Sequence, residues 1–544
     1  MAFAANPNVV LITLDSARAD HMGFLGTSHA TPALDALAKQ SLVFEHAYAQ
    51  APLTVVSHTS ILTGTYPQTN QANELGSPLP SSLPYLPDLF RARGYHTAAF
   101  VGTIALDPKN GSAPGFDRGF AAYDAGFHQP KKGENRYLAT ERRGDQVAAR
   151  AIAWLAKNSH GPFFLWVQLN DAHAPYGTSY DSAVSRADAA VGKLIAALRA
   201  SKQFEDVIVA VASDHGESLG AHGEDTHGVF LYDETIRVPL LLKLPQNQMA
   251  AKRVSSKVSL IDLAPTLLEI AGIPVPSQMQ GESLLRIAKS SGADQPVYSR
   301  SDFSQRAFGW SGLESWRAGK YLYIRAPRPE LYDLSADPTA SHNLAQSSKA
   351  TLDTMAAQLE SFDRHFTASG QSTELSSSEV QKLASLGYVG LQKSSGNSSV
   401  VTGTDPKDTI ATANKVLAAM ASLADGESEK ASGALQPIVT SQPNTYLAQF
   451  GLGMALAQQQ QFAPAVEHLH KAIELQPDSA WAHYYMGMSL LKSGDAKTAV
   501  VHLEIATTRL PENPEAHALL AQAYEKLGRA EDAKKEKLKS GQKT

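Results

Sequence analysis

The chain has 544 residues, more than one hydrophobic core organises, so two or more domains are expected. Apolar residues make up 43% and charged residues 19%, the usage of a folded globular protein, and a net charge of −5 offers no basic surface for nucleic acid. Cysteine is absent, which excludes disulfides, thiolate metal sites and a cysteine nucleophile.

The first residues, Met1-Ala-Phe-Ala-Ala5, read as the small-residue end of a secretory signal whose charged and apolar parts were replaced by a start methionine. This predicts a periplasmic or secreted protein, with a cytoplasmic location left open. No apolar window reaches the roughly 20 residues of a membrane-spanning helix.

Val9 to Leu14 is a continuous apolar run ending on Asp15, as a strand covered on both faces requires. His96 to Val101, Phe163 to Leu169 and Val207 to Ala212 repeat the pattern, with helical stretches such as Asp145 to Ala156 and Ala187 to Ala200 between them. The alternation predicts an α/β fold, a mostly parallel sheet flanked by helices. In such sheets ligands bind beyond the carboxyl ends of strands, where Asp15, Asn170 to His173 and Ser213 to Glu217 fall. A small α+β subdomain is expected over about 296–392. There Trp316 to Ile324 alternates like an exposed antiparallel strand and Pro327 to Asp333 turns into another.

Residues 393–408, rich in Ser, Gly and Thr, form the expected linker between a catalytic domain, 1–392, and an all-α domain, 409–544. Pro443, Pro477 and Pro511 are spaced by 34 residues, as are Gly453 and Gly487, Ala465, Ala499 and Ala533, and Gly494 and Gly528. That period matches tetratricopeptide repeats, with three clear units from about Tyr446 and a degenerate one before them. Such an array predicts a protein or peptide partner, or self-association.

Asp15 at one strand end and Asp214-His215 at another gather two carboxylates and an imidazole at one edge of the sheet. Hard oxygens plus one nitrogen suit a divalent Zn or Mn ion better than Ca. Helix capping is the alternative for the two aspartates. Thr54 precedes the apolar run Val55 to Leu62 and so opens a helix, either as a cap or with its hydroxyl at an anion-favouring end.

Four segments carry a wider pattern: Val10-Leu-Ile-Thr-Leu-Asp15-Ser-Ala-Arg-Ala-Asp20-His21, Thr54-Val-Val-Ser-His58 to Gly64-Thr-Tyr-Pro67, Asn170-Asp-Ala-His173-Ala-Pro-Tyr176, and Ser213-Asp-His-Gly-Glu217 to His227-Gly228. With Leu231 to Pro239, Asp262 to Thr266 and Glu330 to Leu334, they resemble the sulfatase-like branch of the alkaline phosphatase superfamily over roughly residues 8 to 392. Relatives that bind Ca tend to carry Asn at the place of His215 and a second Asp at that of Ser16, so the resemblance implies one transition metal held by Asp15, Thr54, Asp214 and His215.

In sulfatases the position of Thr54 holds a Cys or Ser that is oxidised to formylglycine, which a threonine cannot become. The resemblance implies instead that Thr54 attacks directly, as in the phosphodiesterases and phosphoethanolamine transferases of the superfamily, through a phosphothreonine. His58 stands where sulfatases carry arginine and is expected to balance charge beside the nucleophile. His173 is the expected general acid. His227 is expected on the substrate's anionic oxygens or, with Asp171, on a second metal, although Pro175 interrupts the two-metal motif. Thr103, Arg300 and Arg306 are further substrate candidates. Arg18 is expected as a salt-bridge partner near Asp15, Asp20, Glu217 and Arg237 as structural supports, and His222 and Asp225 as polar loop residues.

The resulting expectation is a metal-dependent hydrolase of phosphate mono- or diesters, promiscuous toward sulfate esters. A sulfatase, a phosphoalcohol transferase and a catalytically silent domain on a repeat-based binding protein are the alternatives.

Overall fold

The computed structural model describes residues 6–72, 76, 78–158, 160–290, 295–365, 383 and 401–541. The expected signal remnant, Met1 to Ala5, lies outside them, as do 393–400 of the expected linker and most of 366–392. Among the described residues no helix is long and apolar enough to cross a membrane.

Eight strands form the main sheet: β1 (Val9–Leu14), β2 (Leu42–Tyr48), β3 (His96–Phe100), β4 (Ala122–Asp124), β5 (Phe163–Leu169), β6 (Ile208–Ser213), β7 (Arg237–Lys243) and β8 (Arg253–Ser259). Their order is β4-β3-β5-β1-β6-β7-β2-β8. The pairings are parallel except that β7 runs against both β6 and β2. β1, β5 and β6 are buried along their whole length because both faces are covered. Alternate residues of β1 feed opposite cores. Val9 and Leu11 join the one that holds Val55, Ile61 and Leu62 of the helix Thr54–Thr63; Val10, Ile12 and Leu14 join the one that holds helices Gly144–Asn158 and Tyr180–Ala200. The last helix starts seven residues before the apolar period suggests, because Ser179 caps it by accepting from the Ser182 N–H.

The subdomain is a four-stranded antiparallel sheet, β9 (Val297–Ser301), β10 (Leu313–Ala318), β11 (Tyr321–Arg325) and β12 (Glu330–Asp333), in order β12-β11-β10-β9. The single exposed strand expected over Trp316 to Ile324 is therefore two paired strands. Gly319, with φ +56°, supplies the left-handed turn between them, and β10 is buried rather than exposed.

The C-terminal region is four antiparallel helix pairs: Ile410–Ala424 with Ser428–Ser441, Tyr446–Gln458 with Phe462–Leu475, Ala480–Lys492 with Ala496–Arg509, and Pro514–Lys526 with Ala530–Lys539. A Cβ on Gly453 or Gly487 would sit 2.6 or 2.5 Å from Leu469 or Leu503 of the facing helix, so close approach demands glycine there. The array lies against the α/β domain. Trp481 donates its indole N–H to the Gly111 carbonyl (3.1 Å), Asn513 its amide to the Lys109 carbonyl (2.8 Å), and Gln458 its amide to the Pro130 carbonyl (3.1 Å). The described end of the expected linker is also docked, with Asp405 accepting from the Arg328 N–H (3.1 Å) and Lys407 paired with Glu330 (2.7 Å).

Candidate active site

Leu14 pairs with Ser213 in register, so Asp15 and Asp214 leave neighbouring parallel strands side by side. Ser16 then turns the chain with φ +57° and donates its N–H to Asp214 Oδ1 (3.2 Å), which also accepts from the His215 N–H (2.8 Å). Asp15 Oδ2 accepts from Gln168 Nε2 (2.9 Å), and Oδ1 accepts from the Ser16 hydroxyl (3.1 Å). His215 donates Nδ1–H to the Gly216 carbonyl (2.9 Å), which leaves the Nε2 lone pair inward, 3.8 Å from Asp15 Oδ1 and 3.5 Å from Asp214 Oδ2.

Asp214 Oδ2 is buried without a hydrogen-bond partner, a costly state for a carboxylate oxygen. Burial and then Asp15 push the Asp214 carboxyl well above its usual range, while burial and then His227 hold His215 well below its own. One ligand atom each of Asp15, Asp214 and His215 lies within 4.8 Å of the others. Two carboxylates and a neutral imidazole with its free nitrogen inward are a fitting donor set for a divalent cation.

Thr54 is the first residue of its helix, and its Oγ1 lies 3.3 Å from His215 Nε2. The positive end of the helix dipole therefore falls at this hydroxyl. His58, one turn on, points back toward β1. Its Nδ1–H donates to the Thr54 carbonyl (2.8 Å), and its Nε2 pairs with Thr13 Oγ1 (2.9 Å), which also accepts from the Trp166 indole (3.0 Å). Burial lowers its pKa to about 4, so at neutral pH it carries none of the charge expected of it and anchors the helix start to the sheet instead.

His227 faces the cluster, its ring 4.3 Å from that of His215 and 5.2 Å from that of His173. Burial would lower its pKa, but Glu217, 3.0 Å from Nδ1, overrides this and raises it to about 9. Glu217, expected only as a support, thus sets the charge of an imidazole in the site. His173 donates Nδ1–H to the Ala174 carbonyl (2.8 Å), so Nε2 is the nitrogen left for chemistry.

Asp171 is turned away from this group. Its carboxylate faces the backbone N–H of Gly144 and, at 3.8 Å, Arg186, and burial raises its pKa to about 6. Thr103 caps a short turn by accepting from the Ala105 N–H (3.3 Å) and bridges to Glu141. Arg300 lies 3.8 Å from Asp302; Arg306 lies 3.4 Å from Asp302 and 3.8 Å from Asp478 of the repeats. Arg18 pairs with Asp20 (2.6 Å), not Asp15, and donates to the Glu217 carbonyl (3.0 Å). Arg237 donates to the Glu45 carbonyl (2.9 Å), His222 stacks on Tyr232, and the Asp225 N–H meets Asn414 (3.1 Å). Sequence reasoning missed Arg136, which donates to the Ala174 carbonyl beside His173 (3.3 Å), and Glu141, whose buried carboxyl feels the charge of His173; neither lies in a motif.

Residues 7–273 match the Sulfatase family model and 223–364 match the N-sulphoglucosamine sulphohydrolase C-terminal model. The α/β part of this chain belongs to the sulfatase family. It is the sulfatase-like branch of the alkaline phosphatase superfamily fused to repeats, whose models match 453–494 and 490–536, and with the family goes hydrolysis of ester bonds. The chain is similar to the ulvan-active sulfatase of Formosa agariphila, 27% identical over 62% of this chain and 77% of that protein. Human arylsulfatase K is 28% identical over 40% of this chain and 46% of that protein. The fold matches the phosphonate monoester hydrolase of Agrobacterium radiobacter with a TM-score of 0.55, 20% identity, and 66% and 96% of the two chains covered.

Proposed function

We propose that this sulfatase-family domain hydrolyses phosphate esters by way of Thr54, with Asp15, Asp214 and His215 holding one divalent cation beside it. The observation that carries the reading is the Thr54 hydroxyl at a helix start and 3.3 Å from His215 Nε2, whose neighbour Asp214 keeps one buried carboxylate oxygen without a hydrogen bond. A bound cation would supply acidity to that hydroxyl and neutralise charge on the substrate.

Thr54 Oγ1 releases its proton to solvent and attacks phosphorus, a bond forms between them, and the bond to the leaving oxygen breaks. His173 Nε2 gives that oxygen its proton. Water then gives a proton back to His173 Nε2 and attacks the phosphothreonine, the bond from phosphorus to Thr54 Oγ1 breaks as that oxygen takes a proton from solvent, and phosphate leaves. His227, kept cationic by Glu217, binds a substrate oxygen, and this role stands in place of a second metal, since Asp171 faces elsewhere.

The donor set supports Zn or Mn over Ca. The repeats support a protein partner. Sulfate esters are the second reading, favoured by the family match itself. Turnover of p-nitrophenyl phosphate, bis-p-nitrophenyl phosphate and p-nitrophenyl sulfate by chelator-treated protein resupplied with Zn, Mn or Ca tests both. Restoration by Zn or Mn with phosphate esters ahead supports the proposal; efficient turnover of the sulfate alone contradicts it.

A further inference from the structure

The first repeat helix, Ile410–Ala424, holds both loops that carry the substrate-facing imidazoles. At its C-terminal end Asp425 takes Arg136 in a two-pronged pair, Nε to Oδ1 at 2.6 Å and Nη2 to Oδ2 at 2.8 Å, and Nη2 also meets the Ala421 carbonyl at 3.2 Å. The Arg136 side chain is only 5% exposed. Its remaining nitrogen, Nη1, donates to the Ala174 carbonyl (3.3 Å), the same oxygen that accepts His173 Nδ1–H, and lies 3.4 Å from Glu141. Eleven residues earlier, Asn414 donates to the Gly223 carbonyl (2.8 Å) and accepts from the Asp225 N–H (3.1 Å), two residues short of His227. The anchors stand about 16 Å apart along the helix, over imidazoles whose rings are 5.2 Å apart.

We infer that the repeat domain completes the active site in cis: Asp425, through Arg136 and the Ala174 carbonyl, positions His173, and Asn414 positions the loop of His227. Arg136, Asp425 and Asn414 are positioning residues, and the inference rests on the roles given above to His173 and His227. An ion pair that merely glued two domains would alter stability and leave catalysis uniform across substrates. A bidentate pair that fixes a general acid has a different signature, because protonation matters most when the leaving oxygen is basic.

The test compares full-length Asp425→Ala, Asp425→Glu and Asn414→Ala with wild type on phenyl phosphate and p-nitrophenyl phosphate. Asp425→Ala is expected to lose at least about tenfold more kcat on the phenyl ester than on the nitrophenyl ester, with metal uptake unchanged. Asp425→Glu recovers part of that loss, and Asn414→Ala raises KM on both esters. The His173 ring resonance, assigned with His173→Gln, shifts in Asp425→Ala whether or not these esters are turned over. Equal losses on the two esters, or an unmoved His173 resonance, overturn the inference while wild-type turnover stands. Absent wild-type turnover with a shifted resonance overturns the proposed function and leaves the positioning intact. Should Asp425→Ala melt early, Arg136→Lys, which keeps the charge and loses the fork, carries the same comparison.

Discussion

At the residue scale, Thr54 and His58 share one helical turn and have opposite fates. Thr54 Oγ1 faces the metal donors, while His58 spends both ring nitrogens on Thr54 and Thr13. The sequence pattern fixed which residues are close but not which way a side chain four residues on would point. Burial holds the His58 pKa below the usual histidine range, and Nδ1 also lies 3.3 Å from Asp214 Oδ2. His58→Ala is expected to destabilise the protein by about 2–4 kcal/mol by stripping partners from buried groups, read as a lower urea midpoint. Thr54→Ala is expected to fold normally and lose at least about 10³ in kcat/KM, with Thr54→Ser retaining measurable turnover. Asp15, Asp214 and His215 were legible because each stands one or two residues past an apolar strand. Asp171 stands past one too, and the helix start at Gly144 claims it.

At the element scale, the parallel strands announced themselves as unbroken apolar runs, whereas β10 and β11 read as one strand because both alternate through a two-residue turn. The repeats hold a polar ladder that the 34-residue period carries but does not reveal. Gln449 pairs with His468, His483 with His502, and His517 with Glu536, and the first member of each pair meets the carbonyl of Pro443, Pro477 or Pro511. Burial, then His483 and His470, hold His502 well below the usual histidine range. A histidine whose pKa falls on folding lends stability that is present above about 6.5 and lost as pH drops, since only the unfolded chain then takes the proton. The denaturation midpoint of the array is therefore expected to fall between pH 7 and 5. His483→Gln, which copies the Gln449 arrangement, is expected to keep the fold at pH 7, and a large loss of midpoint there would contradict the ladder.

At the scale of the whole molecule, two domains separable in sequence are joined in structure. Part of the docking escaped the sequence because the acceptors of Trp481, Asn513 and Gln458 are backbone carbonyls of Gly111, Lys109 and Pro130, and the Arg136–Asp425 pair joins residues 289 apart that lie in no motif. Trp481, 8% exposed and bonded to Gly111, is expected to be the largest single contribution. Trp481→Ala should cost about 3–5 kcal/mol and open the junction to protease, measured by denaturant melts and limited proteolysis; an unchanged cleavage pattern would show that the docking does not depend on it.

The most direct test of the central claim is acid quenching of the zinc- or manganese-loaded protein during turnover of p-nitrophenyl phosphate, followed by mass spectrometry of the peptide that contains Thr54. A phosphoryl group on Thr54, absent from Thr54→Ala, is the predicted result. Steady turnover with that peptide unmodified and with Thr54→Ala as active as wild type would contradict the account.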